Sequence, residues 1–181
     1  MKISECGWLS GVRRLASPNF DPRPAGSRID MLVIHNISLP PEQFGGAEIE
    51  DFFTNRLDHD AHPYFAQLKG VRVSSHFLLR RNGGIVQFVP CSRRAWHAGV
   101  SAWQGRTRCN DFSIGIEMEG SDFIAFTDAQ YVSLARLSRL LLRKYPLRHL
   151  VGHSDIAPGR KTDPGPYFDW QRYLSSIQLS R

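Results

Sequence analysis

The chain has 181 residues, 41% of them hydrophobic, which suits one domain with a core of its own, and no apolar run approaches a membrane span. The net charge of +6 comes from scattered pairs (Arg13-Arg14, Arg80-Arg81, Arg93-Arg94). With no long basic run and no nucleic-acid motif, it reads as solvated surface or as attraction for a carboxylate-bearing substrate, not as a nucleic-acid footprint.

The first residues, MKISECGWLSGVRR, hold no continuous apolar region and place Glu5 early, so no secretory signal is expected. Cys6, Cys91 and Cys109 are odd in number and never form a C-x-x-C pair, which argues against a disulfide framework or a cysteine zinc site and suits a reducing cytoplasm. Residues 17 to 30 are rich in proline and polar side chains, so residues 1 to 30 are expected to form a leader over the domain. Met31-Leu32-Val33-Ile34 is a short apolar run suited to a strand buried on both faces, with His35 at its end. Ile49, Phe52, Phe53 and Leu57 fall at helical spacing and predict a helix over 47–57.

Asp58 to Gly70, with His59, His62 and Tyr64, reads as a loop. Val71 to Leu79 then alternates, Asn82-Gly83 fits a tight turn, and Ile85 to Val89 returns, predicting a hairpin. On that pattern His76 shares a face with Arg72 and is best read as a hydrogen-bonded core histidine. Residues 90 to 111 show neither period, and a stretch of that length is usually functional. Ile114, Ile116 and Met118 alternate with Gly115, Glu117 and Glu119, a strand with an acidic face that is costly to bury unless a cation waits there. Thr127 to Gln130 is a capping box opening a helix with Tyr131, Leu134, Leu137, Leu141 and Tyr145 inward and Pro146 beyond its end. A short helix is expected around Trp170 to Ile177. The interleaving gives an α/β domain with a mixed sheet covered by helices.

The stretch VGHSDIAPGRKTDPGP, residues 151–166, carries His153, Lys161 and Asp163 among three prolines, which exclude a long helix or a central strand and leave a stiff loop. His35 and His153, each lifted above an ordinary histidine by its place at a strand end or in this loop, combine with Asp163 into a two-histidine, one-aspartate zinc set with an open fourth position. Asp163 alone has a bland reading as a turn residue before Pro164. His59, His62, His97 and His149 carry no such mark. A carboxylate beside the metal could take a proton from water, and Lys161 could stabilise an oxyanion. Spacing leaves Glu117 and Glu119 both open for the base, since they share a face.

The segments VIHNISLPP, RVSSHFLLRRNGGIVQFVP, RAWHAGVS, RCNDFSIGIEMEG, FTDAQY and GHSDIAPGRKTDPGP resemble the zinc N-acetylmuramoyl-L-alanine amidases. Within them the likeness is to the cytoplasmic AmpD type, the 1,6-anhydro-N-acetylmuramyl-L-alanine amidases of cell-wall recycling. The resemblance runs from about Gly7 to Trp170 nearly without gaps. It implies a single domain over 1–181, with a central mixed sheet flanked by helices as in peptidoglycan-recognition proteins. It puts zinc on His35, His153 and Asp163, the general base on Glu117 rather than Glu119, and the oxyanion-stabilising lysine on Lys161. The implied substrate is an anhydromuropeptide, cut between the lactyl carbonyl and L-alanine, and a monomer with no nucleic-acid or membrane partner is expected. Trp96, in RAWHAG, is the candidate for stacking on a sugar ring, and Arg72 and Arg108 for the carboxylates of the peptide stem. An exported amidase of polymeric murein would use the same five residues, whereas a non-catalytic recognition module would be expected to lose a metal ligand.

Overall fold

The uninterrupted apolar run at Met31 forms the strand beside which the site assembles. In the computed structural model, which describes residues 1–177, β3 (Met31–Ile37) is a seven-residue strand whose first four side chains have no exposed surface. It pairs in parallel with β9 (Ser113–Glu119), equally buried, over its whole length. A strand covered on both faces needs no alternation, which is why the run reads as solid hydrophobe.

Before β9 the chain also forms β1 (Arg13–Arg14), β2 (Phe20–Pro22), β4 (Phe77–Leu79), β5 (Ile85–Gln87) and β6 (Arg93–Ala95), of which β1, β4 and β5 belong to the main sheet. The six-stranded sheet has the order β1-β5-β4-β9-β3-β10, where β10 is His149–Gly152. Only β4 and β5 pair antiparallel within it, so the sheet is mixed. A pair β2–β6 and a small hairpin of β7 (Ala102–Trp103) and β8 (Arg106–Thr107) lie outside it.

Helices cover both faces. On one side α3 (Asp128–Lys144) and α5 (Trp170–Ile177) pack Tyr131, Leu134, Leu137, Leu141 and Tyr173 on Leu32, Ile34, Phe77, Ile114 and Ile116. The Thr127–Gln130 capping box is formed in both directions, as the sequence predicts. Truncating a fully buried leucine of this layer, such as Leu137, costs about 2–5 kcal/mol. On the other side α1 (Glu48–Phe53) buries Ile49, Phe52 and Phe53 on Leu78, Val86 and Phe88. This helix is shorter than predicted: Asn55 turns into left-handed backbone, and Leu57 is buried from the loop beyond.

Three expectations are corrected by packing. The alternation over Val71–Leu79 does not make a long strand: Ser74, Ser75, His76, Phe77, Leu78 and Leu79 are all buried, and only Phe77–Leu79 is strand. The hairpin itself is present, closed by a three-residue loop with Gly83 in the left-handed region. Between Asp58 and Gly70 a one-turn helix, α2 (Pro63–Ala66), begins where the His62 ring accepts the Tyr64 amide. The stiff 151–166 loop likewise opens with a single turn, α4 (His153–Ile156).

Residues 1–30 do more than lie over the domain. β1 is an edge strand on β5, and β2 pairs with β6. The Arg23 guanidinium donates to the carbonyls of Cys91, Asn110, Asp111 and Ser113, which ties the aperiodic 90–111 stretch to the sheet.

Candidate active site

Three side chains from distant segments converge where the strands end. His35 comes from β3, His153 from the first residue of α4, just past β10, and Asp163 from the proline-rich loop behind them. Because β3 and β10 are parallel and paired, Gly152 lies opposite Ile34, so the next residue of each strand arrives at the same level. The Nδ1 atoms of His35 and His153 are 3.0 Å apart, and Asp163 Oδ2 stands 3.1 and 3.0 Å from them. Both histidines are buried, and Asp163 keeps only a sliver of exposure.

The chemistry of these donors fits a cation. The His153 Nε2 sits 3.1 Å from the Ala98 carbonyl, which can only accept, so Nε2 carries the proton and Nδ1 offers a lone pair to the cluster. Burial holds the His35 imidazole neutral, with its pKa down at about 4. Burial alone would raise the Asp163 carboxyl, but the facing nitrogens of His153 and His35, where a proton on either would be shared with the carboxylate, outweigh it and hold it well below the usual carboxylate range. Lone pairs crowded this closely need a proton or a metal ion among them. Donors about 2.0 Å from a tetrahedral zinc stand roughly 3.3 Å apart, close to the spacing here.

Glu117 and Lys161 line the same cavity, of about 400 Å³, with His35, His153 and Asp163. Glu117 is buried, and that burial, reinforced by the nearby Asp163 charge and only partly offset by Lys161, pushes its pKa well above the carboxylate range. Glu119 lies elsewhere: its carboxylate accepts from Arg80, at 2.9 Å, and from the backbone amides of Gly45 and Arg81. The two glutamates left open by spacing thus have different surroundings.

A family profile described as N-acetylmuramoyl-L-alanine amidase matches residues 25–166. The chain belongs to the N-acetylmuramoyl-L-alanine amidase family. It is 58% identical over 173 residues to the 1,6-anhydro-N-acetylmuramyl-L-alanine amidase AmpD of Escherichia coli, covering 94% of each chain. A crystal structure of an AmpD derivative superposes with a TM-score of 0.95 at 55% identity, over 98% of this chain and 99% of that one. The Escherichia coli amidase AmiD, solved with the substrate anhydro-N-acetylmuramic acid-L-Ala-D-γ-Glu-L-Lys, gives a TM-score of 0.59 at 34% identity over 96% of this chain and 65% of that one.

In this amidase the remaining candidates divide. Trp96 is half-buried in the cavity wall, its indole Nε1–H donating to Asp21 at 2.7 Å. Arg72 and Arg108 are not in that wall. Arg72 is exposed next to the cavity-lining Val71, and Arg108, in left-handed backbone, reaches Asp111 at 3.3 Å. Arg72 departs from the expected His76 face because the chain there is not a strand, so period two does not apply. His76 is the core histidine expected: Nδ1 accepts the Gly115 amide and Nε2–H reaches the Arg93 carbonyl.

Two residues that sequence reasoning passed over stand against the site. His97 is buried, with Nδ1 2.9 Å from His35 Nε2. Asn36 donates to Asp122 and to the Pro164 carbonyl, tying the end of β3 to the loop that carries Asp163. The only sequence signal for Asn36 was adjacency to His35, and for His97 its place in the aperiodic stretch beside Trp96.

Proposed function

We propose that the protein hydrolyses the amide between the lactyl carbonyl of 1,6-anhydro-N-acetylmuramic acid and L-alanine in cell-wall-derived muropeptides, as part of peptidoglycan recycling. The observation that carries this reading is the triangle of His35, His153 and Asp163 lone pairs at the floor of a cavity shared with Glu117 and Lys161. Identity to AmpD over nearly the whole length supports the substrate class.

His35, His153 and Asp163 would hold zinc. A bound zinc supplies a Lewis acid that polarises a carbonyl and makes water more acidic. Glu117 takes a proton from the attacking water and passes it to the alanine nitrogen as the amide breaks. Lys161 places an ammonium against the oxygen that becomes negative. Trp96 offers an aromatic face to the sugar, and Arg72 and Arg108 contact carboxylates of the stem. Three free cysteines support action in a reducing compartment, the cytoplasm, and we take the working unit to be a monomer.

The test is one defined anhydromuropeptide incubated with zinc-loaded and metal-stripped protein. Release of the free peptide by the loaded protein only is expected. Equal release by both preparations contradicts the metal reading, and equal rates on insoluble sacculi favour a murein-polymer amidase instead.

A further inference from the structure

The environment behind the two histidines comes from one dipeptide. His97 faces the far side of the His35 ring, and the carbonyl of Ala98 faces the far side of the His153 ring. The amides of both residues donate to the same acceptor, Asn110 Oδ1, at 3.1 and 2.8 Å. The Ala98 carbonyl also accepts from Arg160, at 2.9 Å, so the loop carrying Asp163 is clipped to the same point.

The carbonyl leaves His153 no choice of tautomer, but the His97 ring leaves His35 two. His97 Nε2 lies 3.0 Å from Ser113 Oγ, a hydroxyl that donates or accepts. In one arrangement His97 Nε2–H donates to the serine, His97 Nδ1 accepts from His35 Nε2–H, and His35 Nδ1 faces the cluster as a lone pair. In the other every bond reverses, and a proton on His35 Nδ1 points at Asp163. Only the first permits ligation. A hydrophobic side chain in place of His97 would leave His35 Nε2–H without a partner and so favour the second.

A second observation shows room made for this ring. A Cβ built on Gly115 would stand 2.5 Å from His97 Cγ, closer than real atoms approach. Gly115 lies in a strand whose other side chains are all buried, where glycine gives up packing.

We propose that His97, pinned with Ala98 by Asn110, is a positioning residue that presents His35 Nδ1 to the metal by accepting the His35 Nε2–H. The inference rests on the His35–His153–Asp163 set being a metal site. A metal-ligating histidine ordinarily gives its second N–H to a carboxylate, a carbonyl or water. Here a neutral imidazole takes that part, and it passes the requirement on to Ser113.

Three variants test this in the full chain: His97→Leu, which fills space without an acceptor; His97→Asn, whose Oδ1 falls near the Nδ1 position; and Gly115→Ala, which displaces the ring without altering it. Zinc affinity is measured by chelator competition, and the His35 tautomer by imidazole 15N shifts. His97→Leu and Gly115→Ala should lose about 10–100-fold in zinc affinity, and His97→Asn should recover most of it. Zinc-loaded wild type should show His35 protonated at Nε2. Affinity in His97→Leu within twofold of wild type, or equal loss in the Leu and Asn variants, overturns the positioning role. A wild-type His35 Nε2 without a proton overturns it even where no variant folds. A wild-type protein that binds no zinc overturns the metal reading first and this inference with it.

Discussion

Glu117 lies directly opposite His35 across the β3–β9 ladder, and Glu119, two residues on, is paired with Ile37 and engaged by Arg80. Two positions along the strand therefore separate a carboxylate beside the His35–His153–Asp163 cluster from one committed to the fold. Glu117→Gln keeps the shape but accepts no proton, so kcat should fall by about a hundredfold or more with zinc still bound. Lys161→Met should fall comparably through loss of oxyanion stabilisation. Glu119→Ala should act on stability, costing about 1–3 kcal/mol, because the Gly45 and Arg81 amides lose their acceptor while Arg80 keeps Glu50. Thermal melts beside turnover and metal content separate these cases. If Glu119→Gln cripples turnover in a stable protein while Glu117→Gln is mild, the base is misassigned.

The strands were legible because burial on both faces writes a solid apolar run, as at Met31–Ile34, and α3 because its capping box and its 3.6-residue period agree. The clustering of His35, His153 and Asp163 was legible for a narrower reason: His35 sits where an apolar run stops, and His153 and Asp163 sit in a stretch where prolines exclude regular structure. What stayed hidden depends on contacts across long separations. His35 and His153 are 118 positions apart, and nothing local marks His97 as the residue behind one of them. Arg72 was misplaced for the opposite reason: apparent alternation over Val71–Leu79 invited a strand, but serines and His76 are buried there beside apolar side chains, and backbone from Val71 to Ser75 follows no ladder.

Removing any one member of the metal set should remove metal and activity together. His35→Ala, His153→Ala and Asp163→Ala are each expected to purify without stoichiometric zinc and to release no peptide, with the near-native secondary structure retained, since the main apolar layers lie elsewhere. Metal analysis beside circular dichroism checks this. Full turnover by any of the three in metal-free buffer contradicts the assignment.

Glu117 should cost the metal-free protein stability at neutral pH. Its folded pKa is raised well above the ordinary value of 4.5 by burial, so its contribution is favourable below the unfolded pKa and is lost as pH rises through the folded one. At pH 7 the metal-free Glu117→Gln protein should therefore melt at a higher temperature than metal-free wild type. Zinc, which favours the charged carboxylate, should narrow the gap. A lower melting temperature for the glutamine variant contradicts this account of the site.

Acid should destabilise the metal-free protein through its buried histidines. Burial lowers His35 to about 4 and His76 to about 3, from an ordinary 6.5. Between those values the unfolded chain binds protons that the folded one does not, so stability should fall as pH drops from about 6.5 towards 4. Denaturant melts across that range measure the slope. His76→Gln should flatten it, and an unchanged slope in that variant would show that the lost stability comes from other groups.

Trp96 holds two positions at once: its ring faces the cavity, and its Nε1–H is bonded to Asp21, which also accepts from Arg94. Strand β2 therefore tethers the ring, and under the sugar-stacking role residues 1–30 would act on substrate binding through Asp21. Under the sugar-stacking role, Trp96→Ala should raise KM for the anhydromuropeptide by roughly tenfold, about 1.4 kcal/mol, with kcat less affected. Asp21→Ala should produce a smaller KM effect of the same sign, because the ring is kept but its tether is lost. Arg72→Ala and Arg108→Ala should raise KM only for substrates whose stem carries a free carboxylate, and an amidated stem should erase the difference. The competing possibility is that Trp96 merely fills space under the 90–111 stretch. In that case the Trp96→Ala melting temperature should fall in step with activity, and KM for a minimal substrate lacking the sugar should change as much as KM for the complete one. A KM effect confined to the sugar-bearing substrate, at an unchanged melting temperature, assigns the indole to recognition.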